Sequence, residues 1–77
     1  MIDIDYGKIH INLDKIMAEQ KVSINRLALR AELQRSQLKN YIRNDVKRLD
    51  ISVLCRLCYV LECTLDDLIE YVPPEKK

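Results

Sequence analysis

The sequence predicts an all-α domain of five short helices with a short extended segment at its N-terminus. Leu and Ile dominate the apolar residues, whereas Phe and Trp are absent and Gly occurs once, which favours helices on an aliphatic core over a β-sandwich. Apolar residues recur at helical spacing along most of the chain, and a candidate capping residue precedes each of these runs. With 77 residues, the chain is expected to form one small domain.

Residues 2–11 alternate between apolar and polar side chains, and this period of two indicates extended chain. Gly7 interrupts the alternation and is expected to form a bend. The segment could pair with its counterpart in a second copy or, as we favour, with Tyr71 and Val72 of the same chain. An apolar edge strand seldom stays uncovered in a soluble protein.

Two helices are predicted next, over residues 13–20 and 24–30, with Asn12 and Ser23 as their N-caps. The apolar face of the first consists of Leu13, Ile16 and Met17. That of the second consists of Ile24, Leu27, Ala28 and Ala31. Both faces have the spacing of a helix that packs one side on a core.

Gln34 is expected to cap a third helix, over residues 35–43. Its inner face is predicted to comprise Leu38, Tyr41 and Ile42. Its outer face is rich in hydrogen-bond donors and comprises Arg35, Ser36, Gln37, Lys39, Asn40 and Arg43. Asn44 and Asp45 are expected to end the helix.

Asp50 is the predicted cap of a fourth helix, over residues 51–62, which carries a wide apolar arc and should be central to the core. The arc comprises Val53, Leu54, Leu57, Cys58, Val60 and Leu61. Thr64 and Asp67 resemble a capping box that opens a fifth helix through Ile69 or Glu70. Tyr71 and Val72 could extend into a strand before two prolines, and residues 73–77 are expected to form a loose tail.

The charged residues are unevenly distributed along the chain, although the whole chain has a net charge of only +1. Residues 21–48 carry eight basic and two acidic side chains and therefore sum to +6, whereas residues 1–20 sum to −2 and residues 49–77 to −3. A local basic surface of this kind is where a polyanion would bind.

Several classes of protein are disfavoured by the sequence. No apolar run approaches the roughly 18 residues of a membrane span and no signal peptide is visible, which predicts a soluble cytoplasmic protein. A single His, the lack of a glycine-rich phosphate loop and acidic residues at helix caps argue against an enzyme. No cofactor, metal site or small-molecule substrate is predicted.

Three cysteines, Cys55, Cys58 and Cys63, lie close together in the sequence. Their odd number argues against a secreted disulfide framework, and the single C-x-x-C pair lacks a second pair to complete a zinc site. They are interpreted as small buried hydrophobic residues. A thiol sensor or a metal site remains the alternative.

Residues 24–43 read INRLALRAELQRSQLKNYIR, and this stretch resembles the helix-turn-helix of the lambda-repressor-like (Cro/CI, XRE) DNA-binding domains. Ala28, next to Leu27, is small where two helices would cross closely, and Leu33 would anchor the turn in the core. Leu38 and Tyr41 would anchor the second helix of the motif, so that its opposite face projects.

The later segment VLCRLCYVLECTLDDLIEY is similar to the fourth and fifth helices of the same family. The resemblance covers about residues 12–71, and the domain is accordingly predicted to span residues 12–72. The family often has glycine where this chain has Glu32, and a non-glycine residue in the left-handed conformation costs about 1 kcal/mol. Ile42 stands where the family usually has a polar residue.

The resemblance implies that the third helix lies in the major groove of double-stranded DNA. Arg35 is suited to guanine, and the amides of Gln37 and Asn40 are suited to adenine. The predicted base-reading residues are Gln34, Arg35, Ser36, Gln37, Lys39 and Asn40. The predicted phosphate-binding residues are Ser23, Asn25, Arg43, Lys47 and Arg48.

The predicted function is therefore sequence-specific DNA binding by a small transcriptional regulator of the repressor type. A homodimer is expected because one such module supplies little contact area, and the fourth and fifth helices would carry its interface if the N-terminal strand pairs within the chain. Two alternatives stay open: a protein-interaction or antitoxin-like module on the same helices, and a thiol- or metal-responsive regulator.

Overall fold

The computed structural model describes residues 4–75, which form five helices and one two-stranded sheet. The order of elements is β1 (Lys8–Ile11), α1 (Leu13–Gln20), α2 (Ile24–Ala31), α3 (Arg35–Ile42), α4 (Ile51–Leu61), α5 (Leu65–Leu68) and β2 (Ile69–Val72). This architecture confirms the predicted fold class. The start of the predicted extended segment, including Ile2, and the last two residues of the predicted tail lie outside the described residues.

The sheet joins the two ends of the described chain and confirms the predicted pairing within the molecule. β1 and β2 are antiparallel, with Lys8 opposite Val72 and Ile11 opposite Ile69. Regular strand begins only at Lys8, later than predicted, because β2 ends at Val72 and the prolines after it lack the N–H groups that would continue a ladder.

Gly7 forms the predicted bend at the start of β1. Its φ is 89°, a conformation that residues with a Cβ rarely adopt. A Cβ at this position would lie 2.5 Å from the carbonyl oxygen of Val72, so the close approach of the two chain segments also requires glycine here.

Three of the five predicted helix caps are confirmed by their hydrogen bonds. The Ser23 hydroxyl accepts from the Arg26 amide at 3.2 Å, and an Asp50 carboxylate oxygen accepts from the Ser52 amide at 2.9 Å. At α5 the capping box is complete: the Thr64 hydroxyl and the Asp67 carboxylate each accept from the other residue's backbone amide.

At α1 and α3 the predicted residue occupies the N-cap position, but its side chain makes no cap bond. Asn12 makes no side-chain cap bond, because the Lys15 amide that it would cap donates instead to the Asp14 carboxylate at 2.8 Å and because the Asn12 backbone is not in the extended conformation of a typical cap. The backbone N–H of Asn12 itself donates to the carbonyl of Leu68 at 2.7 Å. Gln34 has that extended conformation but makes no cap bond. Its side chain is one methylene longer than that of Asn, the preferred cap.

The fifth helix is shorter than predicted and ends at Leu68. Ile69 has an extended backbone, with φ −130° and ψ 153°, because it opens β2 opposite Ile11. Pairing with β1 therefore ends the helix early, in a segment whose Ile69, Tyr71 and Val72 favour strand.

The core is aliphatic and lies between the helices, with α4 at its centre. The buried residues are Ile11, Leu13, Ile16, Met17, Leu27, Ala28, Ala31, Leu38, Tyr41, Val53, Leu57, Leu61 and Leu68. The remaining side chains of the predicted apolar arc of α4 are half-buried against this core: Leu54, Cys58 and Val60. Ile42 also packs against it, so this apolar departure from the family pattern has a structural use.

Candidate nucleic-acid interface

The turn between α2 and α3 is built around Glu32 in the left-handed conformation. Its φ is 56° and its ψ is 47°, so the chain uses glutamate where glycine would be unstrained. The amide N–H groups of Glu32 and Leu33 both donate to the carbonyl of Ala28, which satisfies the end of α2. Leu33 is half-buried against the core, as predicted.

Arg56 holds this turn from α4, a role that the sequence did not predict. Its Nη1 donates to the carbonyl oxygen of Ala31 at 3.0 Å and, at 3.5 Å, to that of Glu32. It also lies 3.7 Å from the Glu32 carboxylate. The available signal was that Arg56 is the one charged side chain within α4, since a charge there requires a polar partner or solvent.

Helix α3 is anchored on its inner side and open on its outer side. Leu38 and Tyr41 are 0% and 3% exposed, and the Tyr41 hydroxyl accepts a hydrogen bond from the Asp50 amide at 3.0 Å. Among the predicted base-reading residues, Gln37 is half-buried, and the exposed ones are Gln34, Arg35, Ser36, Lys39 and Asn40. The missing cap bond of Gln34 leaves its amide group available at the start of this face.

Asn40 is already oriented by its neighbour on the same helix face. Its Oδ1 accepts from Arg43 Nη2 at 3.0 Å. An amide oxygen has a second lone pair, and the Asn40 NH₂ group retains both donors. Asn40 therefore keeps the acceptor and donor that a bidentate contact with adenine requires.

Asn44 ties the end of α3 to the sheet, and the sequence predicted only that it would end the helix. It has a φ of 60°. Its Oδ1 accepts from the Ile11 amide at 2.6 Å and its Nδ2 donates to the Ile11 carbonyl at 3.1 Å. Together with the bond from Asp50 to Tyr41, this contact fixes both ends of the loop over residues 43–50.

The predicted phosphate-binding residues all lie on the surface: Ser23, Asn25, Arg43, Lys47 and Arg48. The amides of Ile24 and Asn25 precede the first internal hydrogen bond of α2, from Leu27 to Ser23, and helix amides at this position bind anions. Within residues 4–75, neither Arg35 nor Lys39 nor any basic residue of this set forms an ion pair. Their charge is therefore directed to solvent.

The cysteines are less buried than predicted. Cys55 is exposed, whereas Cys58 and Cys63 are half-buried. Cys55 lies on the side of α4 away from the core because it is two residues from both Val53 and Leu57, which point inward. Burial and the neighbouring Cys58 raise the pKa of the Cys63 thiol to about 11, so this thiol is neutral at pH 7 and a poor nucleophile.

The described part of the chain lacks two kinds of feature. Residues 4–75 contain no group of three or more His, Cys, Asp or Glu side chains placed to hold a metal ion. None of the helices there is both long and apolar enough to cross a membrane.

The anchored α3, the ordered turn before it and the basic loop after it define a helix-turn-helix DNA-binding domain. The chain belongs to the Cro/C1-type HTH DNA-binding domain family, whose model matches residues 12–74. It is 32% identical over 61 residues to the uncharacterized HTH-type transcriptional regulator YozG of Bacillus subtilis (strain 168), an alignment that covers 79% of this chain and 73% of YozG. The protein is thus a DNA-binding transcriptional regulator by family.

Solved structures share the fold. The transcriptional regulator VanUg superposes with a TM-score of 0.72 at 19% identity, covering 96% of this chain and 97% of VanUg. SinR, a master regulator for biofilm formation crystallised with DNA, gives a TM-score of 0.65 at 24% identity, covering 70% of this chain and 86% of that one. The complex of SinR with SinI gives a TM-score of 0.66 at 24% identity, covering 71% of this chain and 53% of the matched chain. These likenesses concern the fold alone.

Proposed function

We propose that the protein binds a specific double-stranded DNA sequence, with α3 in the major groove and residues 43–48 of the loop that follows it on the phosphate backbone. The observation that carries this proposal is the division of α3 into two sides. Leu38 and Tyr41 fix the helix in the core, while the opposite side presents amide, hydroxyl and basic groups to solvent. Such groups distinguish base pairs in the major groove.

The proposed roles differ along the interface. Arg35 reads guanine, Asn40 reads adenine, and Gln34, Ser36, Gln37 and Lys39 complete the base-reading set. Ser23 and Asn25 at the start of α2, with Arg43, Lys47 and Arg48, bind phosphates and so set affinity and register. In this role the protein acts in the cytoplasm without catalysis of its own.

Selection of binding sites from random duplex DNA tests the proposal first. Recovery of a common sequence is expected, and binding to it should weaken steeply as salt rises because phosphate contacts release counterions. If the selected pool shows no shared sequence and affinity stays in the non-specific range of roughly 10⁻⁴ to 10⁻⁶ M, specific recognition is refuted. The same fold would then serve protein contacts, as in the solved SinR–SinI complex.

Two substitutions then separate the roles by fluorescence anisotropy on the selected site and on random duplexes. Arg35→Ala should cost about 1–3 kcal/mol on the selected site and remove most of the preference for it. Lys47→Ala should weaken both kinds of DNA equally and reduce the salt slope by about one. Lys15→Ala, an exposed change on α1 beside Glu19 and Glu62, is the matched control and should change neither. Equal losses from the first two variants on both DNAs would contradict the assignment.

A further inference from the structure

The end of α4 folds the chain back on itself and brings two cysteines together. The amides of Glu62 and Cys63 both donate to the carbonyl of Cys58, the second at 3.2 Å, and Glu62 has a φ of 51°. In a helix end of this kind, the side chains at the positions of Cys58 and Cys63 lie against each other. The Cys63 thiol is accordingly hydrogen-bonded to Cys58, so the two sulfur atoms are neighbours.

The C-x-x-C pair, Cys55 and Cys58, is placed less well for a disulfide. Both residues lie within α4, where side chains three positions apart have Cβ atoms about 5–6 Å from each other. A disulfide requires about 3.5–4.5 Å between its Cβ atoms. A bridge between Cys55 and Cys58 would therefore distort the helix, whereas one between Cys58 and Cys63 joins side chains that already touch.

The two neighbouring thiols differ in their surroundings. Cys58 lines an apolar groove that is open to solvent, together with Ile51, Leu54, Cys55 and Leu65. The charged residues of the hollow beside Cys63 are Lys15, Glu19, Glu62 and Asp67. Three carboxylates against one ammonium group repel an anionic reagent from Cys63, whereas the groove at Cys58 admits it. Burial and the adjacent Cys58 raise the pKa of Cys63 to about 11, so Cys63 stays protonated and can donate its S–H to a thiolate at Cys58.

We propose that Cys58 and Cys63 form a site of reversible oxidation by low-molecular-weight disulfides such as oxidised glutathione. The Cys58 thiolate attacks one sulfur of the reagent, whose S–S bond breaks: a mixed disulfide forms at Cys58 and one glutathione thiolate leaves. Cys63 then loses its proton and attacks the Cys58 sulfur, which releases the second glutathione thiolate. The two thiols of the protein become one disulfide, and the reagent takes up their two electrons and two protons as two molecules of glutathione.

The bridge would hold the junction between α4 and α5. Cys63 precedes Thr64, whose side chain caps α5, so a bond to Cys58 joins the end of one helix to the start of the next. Because the closed loop restricts the unfolded chain, the oxidised protein should melt at least about 4 °C above the reduced one. This chemistry involves neither α3 nor residues 43–48, so a chain that forms the bridge but binds no specific DNA would count against the proposed function alone.

Trypsin separates the cysteines and so identifies the bridge directly. Cleavage after Arg48, Arg56 and Lys76 gives one peptide with Cys55, residues 49–56, and another with both Cys58 and Cys63, residues 57–76. The full chain is incubated with oxidised glutathione, and remaining thiols are alkylated before digestion. The second peptide should then lose the mass of two hydrogens, while the first carries glutathione on the exposed Cys55, which shows that the reagent is active. Dithiothreitol should reverse both changes.

Cys55→Ser is the matched control and should form the bridge like the wild type. Cys63→Ser should stop at the mixed disulfide on Cys58, and Cys58→Ser should leave Cys63 largely unreacted. Closure of the bridge should accelerate about tenfold per pH unit between about pH 7 and 9, because the thiolate fraction of a group with a pKa of about 11 rises in that proportion. The proposal is overturned if residues 57–76 keep their reduced mass while Cys55 reacts, if they become linked to Cys55, if closure does not depend on pH, or if oxidised Cys55→Ser melts below its reduced form.

Discussion

Replacing Arg56 by Met is expected to destabilise the domain by about 1 to 1.5 kcal/mol. Arg56 Nη1 donates to the Ala31 carbonyl at 3.0 Å, and a hydrogen bond from a charged group contributes about 1.5–3 kcal/mol. The Arg56 side chain is 43% exposed, so water can replace part of this bond, which lowers the estimate. Met retains a similar apolar stem, so little packing is lost.

The Glu32 carboxylate should account for only a small part of this effect. It is 82% exposed and lies 3.7 Å from Arg56 Nη1, and exposed ion pairs contribute about 0–1 kcal/mol before screening by salt. In a double-mutant cycle of Arg56→Met with Glu32→Gln, we therefore expect a coupling energy below about 0.5 kcal/mol. The stabilising partner of Arg56 would then be the backbone of the turn.

Urea unfolding followed by circular dichroism measures all four members of the cycle. A loss of 1 kcal/mol corresponds to a fall in Tm of about 4–8 °C for a domain of this size. Arg30→Met, an exposed change in the last turn of α2, is the control and should remain within about 0.5 kcal/mol of the wild type. The reasoning is refuted if Arg56→Met has wild-type stability, or if the coupling energy equals its whole effect.

Two further predictions concern the sheet and the last helix. Asn44→Ala leaves the partly buried amide and carbonyl of Ile11 unpaired and should cost about 2 kcal/mol or more in urea unfolding, while Asn44→Asp, which keeps the acceptor for the Ile11 amide, should cost less; equal losses would argue against a stabilising role of that acceptor. Hydrogen bonds from Thr64 lower the pKa of Asp67 below its ordinary value of 3.8, so its stabilising effect is present above that pH and is lost as the pH falls through the lower folded value. Tm measured against pH should therefore fall less steeply in this acid range for Asp67→Asn than for the wild type, and parallel curves would contradict the link.

Local patterns were sufficient to predict the helices and most of the core. The spacing of Leu27, Leu38 and Leu57 at one face of each helix identified residues that are 0% exposed, because burial of one face imposes the helical period on the sequence. The caps at Ser23, Asp50 and Thr64 could be predicted for a similar reason, since each bond spans only two or three residues.

Contacts between distant residues were not predictable in this way. The bonds from Asn44 to Ile11 span 33 residues and that from Arg56 to Ala31 spans 25, and neither leaves a periodic signal. The prediction that Cys55 is buried like Cys58 was wrong, because two residues three apart on a helix differ by about 60° in direction. The roles of individual residues toward DNA stay predictions, since they depend on a partner as well as on the fold.

The left-handed residues at the helix ends have a consequence for recognising such proteins. Lys21, Glu32, Asn44 and Glu62 all have positive φ without being glycine, and the chain contains one glycine in total. Tertiary hydrogen bonds such as those from Arg56 to the turn offset the cost of the left-handed backbone in a residue that has a Cβ. A search pattern that requires glycine in the turn of a helix-turn-helix would therefore miss this protein, whereas one that scores the buried positions around the turn would find it.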